Sequence, residues 1–312
     1  KGRFYKAKKT LLRNDFQRDR DRIIHSTAFR RLKHKTQVFV NTSGDHFRTR
    51  ITHSLEVSQI ARTLSKFFNL NEDLCETLSL AHDLGHTPFG HAGEDELNKC
   101  MKKYGGFDHN IQTLRIVTSL ENKYYNFIGL NLTIETLDGL IKHNGPLIDT
   151  TSCKKILRKE LFNNKIIFKN YPSLEAQVAA ISDDIAYNNH DLEDGLRAGL
   201  FTIKELNSIK PISKLINKNI KNSKKYRKEI IINQIVRDLI NLMVNDVINT
   251  TKKNIKKSNP QSVKDIYKEN YMMVDFSDKM KTIDKQIKYF LNKKMYNHKN
   301  VIVNTNRGKM II

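Results

Sequence analysis

Apolar positions recur at helical spacing along nearly the whole chain, and no alternating run longer than a few residues interrupts them. From Thr52 the positions Val57, Ile60, Ala61, Leu64 and Phe68 form one stripe, with Asn69 as its stop. A second helix is predicted from about Glu72 to Leu84, with Leu74, Leu78 and Ala81 inward and Gly85 then Pro88 ending it. Gly105-Gly106 reads as a turn, and Ile134, Leu137 and Ile141 make a further stripe closed by Gly145-Pro146. After Pro172, Ser173 is placed to cap a helix carrying Leu174, Val178, Ile181 and Ile185. Residues 226–257 and 261–295 read as two more amphipathic, Lys-rich helices. The expectation is an all-α fold without internal repeats, with a core over 1–203 and a Lys-rich helical region over 204–312 packed on it.

Charge adds little to the fold and something to the choice of partners. The 312 residues carry a formal net charge of +22, and residues 204–312 hold 25 Lys/Arg against 9 Asp/Glu. Such a surface could attract nucleotide triphosphates or, non-specifically, nucleic acid. The alternative is compositional drift toward Lys, Asn and Ile, because no RNA-binding signature accompanies the charge. No stretch approaches the ~20 apolar residues of a membrane span, and Lys1-Gly2-Arg3-Phe4 does not open a signal peptide. Cys75, Cys100 and Cys153 are odd in number and far apart, and they read as reduced thiols in a cytoplasmic protein. The chain ends on apolar Met310-Ile311-Ile312, which suggests a segment cut from a longer protein.

The first chemical signal is His82-Asp83, which alone is weak. His53 lies four residues before Val57 and shares its buried stripe; His82 lies four after Leu78 and also points inward, with Asp83 at the helix end. Asp183 falls on the face that carries Ala176, Ala179 and Ala180, small residues that let a neighbouring helix come close. Burying an ionised carboxylate costs several kcal/mol unless it is paired or bound to metal. For any one of these residues, a core position satisfied by a neighbour is the simpler reading. Taken together, two imidazoles and two carboxylates from three helices point to a divalent ion: Mn or Mg first, with Fe, Co, Ni or Zn compatible. Such an ion acidifies water and polarises a phosphoryl group.

The surrounding motifs resemble the deoxynucleoside triphosphate triphosphohydrolases of the HD superfamily, in their bacterial dGTPase-like branch. The resemblance runs from about Arg18 to about Thr202. It rests on Arg-Asp-Arg-Ile-Ile-His (20–25), Phe29-Arg30-Arg31-Leu32, Lys35-Thr36-Gln37-Val38-Phe39 and Arg50-Ile-Thr-His53-Ser-Leu-Glu56-Val. It continues through His82-Asp83-Leu-Gly-His86-Thr-Pro-Phe-Gly-His91-Ala-Gly-Glu94, Gly105-Gly-Phe-Asp-His109-Asn and Asp183-Asp-Ile-Ala-Tyr187. The resemblance implies His53, His82, Asp83 and Asp183 as metal ligands, matching the reading from the residues. It implies His91 and Glu94 as the catalytic pair, the carboxylate orienting an imidazole that protonates the leaving 5′-oxygen. It further implies that His86, His109 and Arg50 contact phosphate and that Gln37 reads the 3′-hydroxyl. Tyr187 would stack near the deoxyribose, where a 2′-hydroxyl would clash, and Asp191 would reach the substrate. Asp184 is left out of the ligand set.

Asp108 departs from the more usual Glu before His109, and residues 204–312 match the family only loosely. The implied function is hydrolysis of a deoxynucleoside triphosphate to deoxynucleoside and inorganic triphosphate by a homo-oligomer. Two rivals remain at this level. One is an HD phosphohydrolase acting on a monophosphate or an alarmone. The other is a nucleic-acid-binding protein whose HD centre is structural or regulatory.

Overall fold

The computed structural model describes residues 2–7, 11–36, 47–156, 166–221 and 225–312. Among these the chain forms fifteen α-helices and no strand, only isolated bridges such as Arg3–Thr133. In chain order the helices are α1 Asp15–Ile24, α2 Thr27–Arg31, α3 Arg50–Phe67, α4 Glu72–Ala81 and α5 Gly90–Cys100. They continue as α6 His109–Arg115, α7 Ile134–Ile141, α8 Thr151–Ile156, α9 Leu174–Arg197 and α10 Ile203–Leu206. The last five are α11 Ser213–Ile220, α12 Lys228–Ser258, α13 Val263–Lys268, α14 Asp278–Leu291 and α15 Lys299–Ile311. Among the described residues no helix is long and apolar enough to cross a membrane.

Three helices carry the site, and each starts and stops for an identifiable reason. Thr49 and Thr52 form a reciprocal cap at the start of α3, and the left-handed Asn69 (φ 55°) turns the chain away just beyond its end. Asn71 accepts from the Leu74 amide at the start of α4, whose first turn is acidic, as the helix dipole favours. The Ser173 side chain caps α9 at the Ala176 amide. α9 packs against both α3 and α4. One apolar cluster joins Val57, Ile60 and Leu64 of α3 to Val178, Ile181 and Ile185 of α9, and then to α12 and α14. A second gathers Phe16, Phe29, Leu78, Leu137 and Ile141 against Ala176 and Ala179. A Cβ on Gly139 would stand 2.7 Å from Leu78 and 3.2 Å from Ala176, so this close approach needs small residues on both helices. Between its two apolar faces, α9 turns the stripe Asp183–Tyr187–Asp191 toward the ends of α3 and α4.

Two expected boundaries move. α4 ends at Ala81 rather than Leu84, because the chain leaves the helix to meet α6. Thr113 Oγ1 accepts from the Gly85 amide at 2.9 Å, and a Cβ on Gly85 would fall 2.1 Å from the His109 carbonyl oxygen. The single helix expected over 261–295 is two, α13 and α14, separated by an irregular stretch. There the buried Gln177 accepts from the amides of Met273 (2.7 Å) and Val274 (3.0 Å), while Ser277 restarts the helix by capping Met280. The apolar spacing of Met273, Val274 and Phe276 imitates a helix, yet these residues are buried by a side-chain anchor from α9.

Candidate metal centre and active site

His53 comes from the first turn of α3, His82 follows α4 directly, and Asp183 sits mid-way along α9. Their donor atoms all lie within 4.8 Å of one another. His53 Nε2 is 2.9 Å from Asp183 Oδ1, and His82 Nε2 is 3.5 Å from the same oxygen. His82 Nδ1 donates to the Ser79 carbonyl at 2.6 Å, so Nε2 is the nitrogen that can take either a proton or a cation. That Nε2 is buried without a hydrogen-bond partner and faces the cluster. A buried acceptor nitrogen aimed at a carboxylate is unfavourable unless a proton or a cation lies between them. Two imidazole nitrogens and a carboxylate oxygen therefore fit a divalent ion of the borderline or hard kind.

Asp83 stands at the edge of this cluster. Its Oδ1 is 3.4 Å from His82 Nε2 and 3.2 Å from His86 Nε2, while Oδ2 accepts from Arg50 at 2.8 Å. Burial alone would raise Asp83, but Arg50, His82 and His86 outweigh it and hold the carboxyl well below the usual range. Asp183 is likewise held well below its ordinary value, burial being outweighed by His82, His143 and His53. Burial draws His82 down, but Asp83 and Asp183 outweigh it and raise the imidazole to about 9. Cationic character is thus what this cluster favours at its centre.

A cavity of about 180 Å³ opens over these donors and is lined also by Arg50, His86, His91, His109 and Tyr187. His86 is buried and stacks on His109 with centroids 3.9 Å apart. Burial, then Arg50, draws it down to about 3, so it stays neutral. Glu94 meets a second imidazole beside its expected partner His91. It accepts from the His109 amide at 2.8 Å and pairs with His109 Nδ1 at 2.8 Å, whereas His91 Nδ1 lies 3.8 Å away, beyond hydrogen-bond reach. Burial would raise the Glu94 carboxyl, but His109 and then His91 outweigh it and hold the group well below the carboxylate range. The His91 side chain is 64% exposed on the first turn of α5. Left-handed Phe89 (φ 65°) and Gly90 (φ 57°) open that helix and bring the His91 ring 5.5 Å from His86.

Tyr187 lines the cavity with its hydroxyl 3.2 Å from Tyr296 Oη, and the Tyr296 hydroxyl donates to Asp191. Asp191 is buried, its Oδ1 has no partner, and burial raises it to about 7. Asp184 turns away to Lys288 at 2.9 Å. Gln37 lies outside the described residues. Cys75 and Cys153 are buried and Cys100 is exposed, all three unpaired.

Three residues of the site escape the sequence reading. His143 Nε2 is 3.3 Å from Asp183 Oδ2 and stacks on His82; its only sequence signal is its place before the Gly145 turn. His190 Nδ1 is 3.1 Å from His53 Nδ1, and its position seven residues after Asp183 puts it on the same helical stripe. Tyr296 arrives from beyond α14, 109 residues after Tyr187.

Residues 50–188 match the HD domain family. A deoxyguanosinetriphosphate triphosphohydrolase-like protein of Pelagibacter ubique (strain HTCC1062) is 59% identical over 315 residues, covering 100% of this chain and 84% of that protein. Proteins with the same description from Parvibaculum lavamentivorans (46%, 80% of its length) and Bartonella quintana (49%, 79% of its length) also match across 100% of this chain.

Proposed function

From the premise that the chain belongs to the deoxyguanosinetriphosphate triphosphohydrolase-like family of HD-domain proteins, we propose that it hydrolyses deoxynucleoside triphosphates to deoxynucleoside and inorganic triphosphate. The observation that carries this reading is the convergence of His53 Nε2, the unpartnered His82 Nε2 and Asp183 Oδ1 beneath a cavity walled by Arg50, His86, His91 and His109. A divalent ion held there, Mn2+ or Mg2+, with Asp83 at its edge, would polarise a phosphoryl oxygen and make water a better nucleophile at neutral pH.

The protein's own groups do the rest. Arg50 presents a guanidinium to the phosphates while its bond to Asp83 fixes that carboxylate. Glu94 engages His109 Nδ1 and so fixes the ring in the cavity wall, where the phosphates would lie. Water adds a hydroxyl to the α-phosphorus and gives its other proton to solvent, the bond from phosphorus to O5′ breaks, and His91 gives its proton to O5′ and regains one from solvent. Exposure of the His91 side chain suits a group that a nucleoside lying over it would cover. Tyr187, Asp191 and Tyr296 form the sugar end, and Gln37 keeps its part as reader of the 3′-hydroxyl. We read residues 1–203 as the catalytic core and 204–312 as a helical region, and the apolar cluster shared between α3, α9, α12 and α14 supports the packing of the second on the first.

The test is ion chromatography of products from four dNTPs and four NTPs with Mn or Mg. Deoxynucleoside and intact triphosphate should appear in equal amounts. Orthophosphate or pyrophosphate as the primary product refutes cleavage at the α-phosphorus. Turnover of a monophosphate or an alarmone in place of dNTPs refutes the substrate class.

A further inference from the structure

Glycine weakens a helix, so Gly308 inside α15 needs a reason to be there. The buried residues of that helix are Val301 and Gly308, seven apart and therefore on one face. At Gly308 this face meets the turn that opens α5 and carries His91. A Cβ built on Gly308 would stand 2.6 Å from Phe89 Cγ and 2.9 Å from Phe89 Cβ. Those atoms are the root of the side chain, and they can retreat only if the Phe89 backbone moves. That backbone is itself strained: φ is 65°, in the left-handed region, where a bulky side chain is an outlier. Such a conformation persists only where its surroundings fix it. From within the turn, Thr87 Oγ1 donates to the Gly90 carbonyl at 3.1 Å, and Gly93 lies so close to the Pro88 carbonyl that no Cβ would fit there. From outside, the bare backbone of Gly308 provides the seat for Phe89. His91 follows two residues later, so a rotation at Phe89 would swing its ring away from the cavity.

We infer that Gly308 is a positioning residue for the reaction: by admitting the Phe89 side chain, it lets α15 hold the left-handed turn that aims His91 at the cavity. The inference rests on the reading of His91 as the acid. It gives a part in the chemistry to a helix that lies outside residues 50–188, the stretch matched to the HD domain. Gly308 does not line the cavity and acts through Phe89. A second contact runs alongside, since a Cβ on Gly93 would stand 3.0 Å from Ile312 Cδ1, the residue after α15.

The test is steady-state kinetics on a dNTP with Mn2+, beside metal analysis, for the wild type, Gly308→Ala, Phe89→Gly, their double variant and His91→Ala. Alanine is a better helix former than glycine, so α15 itself is not weakened and any loss must travel through Phe89. Gly308→Ala should lower kcat about 10–100-fold with KM and metal content unchanged, the scale of misplacing a reacting group by about 1 Å. Phe89→Gly keeps the left-handed turn accessible but removes the ring that α15 grips, and kcat should fall there too. In the double variant the new methyl meets no ring, so it should be no slower than Phe89→Gly, whereas a glycine needed only for stability would give losses that multiply. The Gly93 amide, bonded to the Phe89 carbonyl at 3.3 Å, should exchange its hydrogen faster in Gly308→Ala, a readout independent of turnover. Wild-type protein without dNTP turnover, or near-normal turnover in His91→Ala, sinks the reading of His91 and this inference with it. A slowed His91→Ala beside unchanged kcat in Gly308→Ala, multiplied losses in the double variant, or an unchanged Gly93 amide overturns the inference alone. Phe89→Gly introduces no clash, so if Gly308→Ala does not fold, unchanged kcat in Phe89→Gly overturns it as well.

Discussion

Asp191→Asn is a perturbation whose pH dependence can be worked out in advance. The Asp191 carboxyl is buried, bonds Tyr296 through one oxygen and has no partner for the other, and burial raises it from 3.8 to about 7. An acid with a raised folded-state value contributes stability that is fully present below its unfolded value and is lost as pH rises through the folded one. In the wild type that loss therefore runs between about pH 4 and pH 7. A shift of about 3 pH units corresponds to about 4 kcal/mol over the full range, of which about 2–3 kcal/mol falls between pH 5 and pH 8. Asparagine does not titrate, so it escapes this penalty. Its carbonyl can still accept from Tyr296, while its amide occupies the place of the unpartnered oxygen at a pH-independent cost of about 1–3 kcal/mol. The offset thus mixes two effects, and the slope isolates one. Denaturant unfolding of both proteins in chelator, at constant ionic strength and several values from pH 5 to pH 8, measures it. The difference in stability, variant minus wild type, should rise by about 2–3 kcal/mol across that window. A flat difference, or one that falls with pH, would show that Asp191 is already ionised at pH 5 and that the buried, partnerless oxygen does not set its proton affinity.

The remaining predictions concern the site and the loop that carries it. His91→Ala should keep metal and substrate binding while turnover drops by roughly 10²–10⁴, and near-normal turnover or loss of metal would remove it from the role of acid. His53→Ala should lose metal and activity together, as metal analysis beside an activity assay will show; full metal content in the variant would contradict the ligand assignment. Gly85→Ala should cost about 3 kcal/mol or more, because the new Cβ meets the His109 carbonyl and the Thr113 amide, backbone atoms that cannot step aside. Its melting temperature tests this, and a melt unchanged from wild type would mean that α6 is less closely held than the geometry implies.

What could be read from the chain, and what could not, follows from the kind of signal each residue leaves. His53, His82 and Asp183 sit at fixed offsets from apolar stripes, so helical periodicity alone puts them on or beside buried faces, where a titratable group needs a partner. The same logic was available for His190, on the stripe of Asp183 and Tyr187, but a histidine without a neighbouring motif looks like any core residue until its partners are seen. His143 and Tyr296 leave no such trace. One follows a helix end and the other comes from beyond α14, and only tertiary packing brings them to Asp183 and Tyr187. Glu94 shows a local signal that is incomplete. Three-residue spacing makes His91 its natural neighbour on α5, and the two stand 3.8 Å apart, while α6, packed close on the Gly85 loop, brings the His109 amide and ring to the same carboxylate at 2.8 Å. The break between α13 and α14 has the same origin, a Gln177 side chain capturing two amides of a segment whose spacing reads as helix. Periodicity reports which face is buried and is silent on what that face meets. In this protein buried polar groups meet where the apolar pattern gives no sign of it: Gln177 on the loop after α13, Glu94 on His109, and His190 against His53.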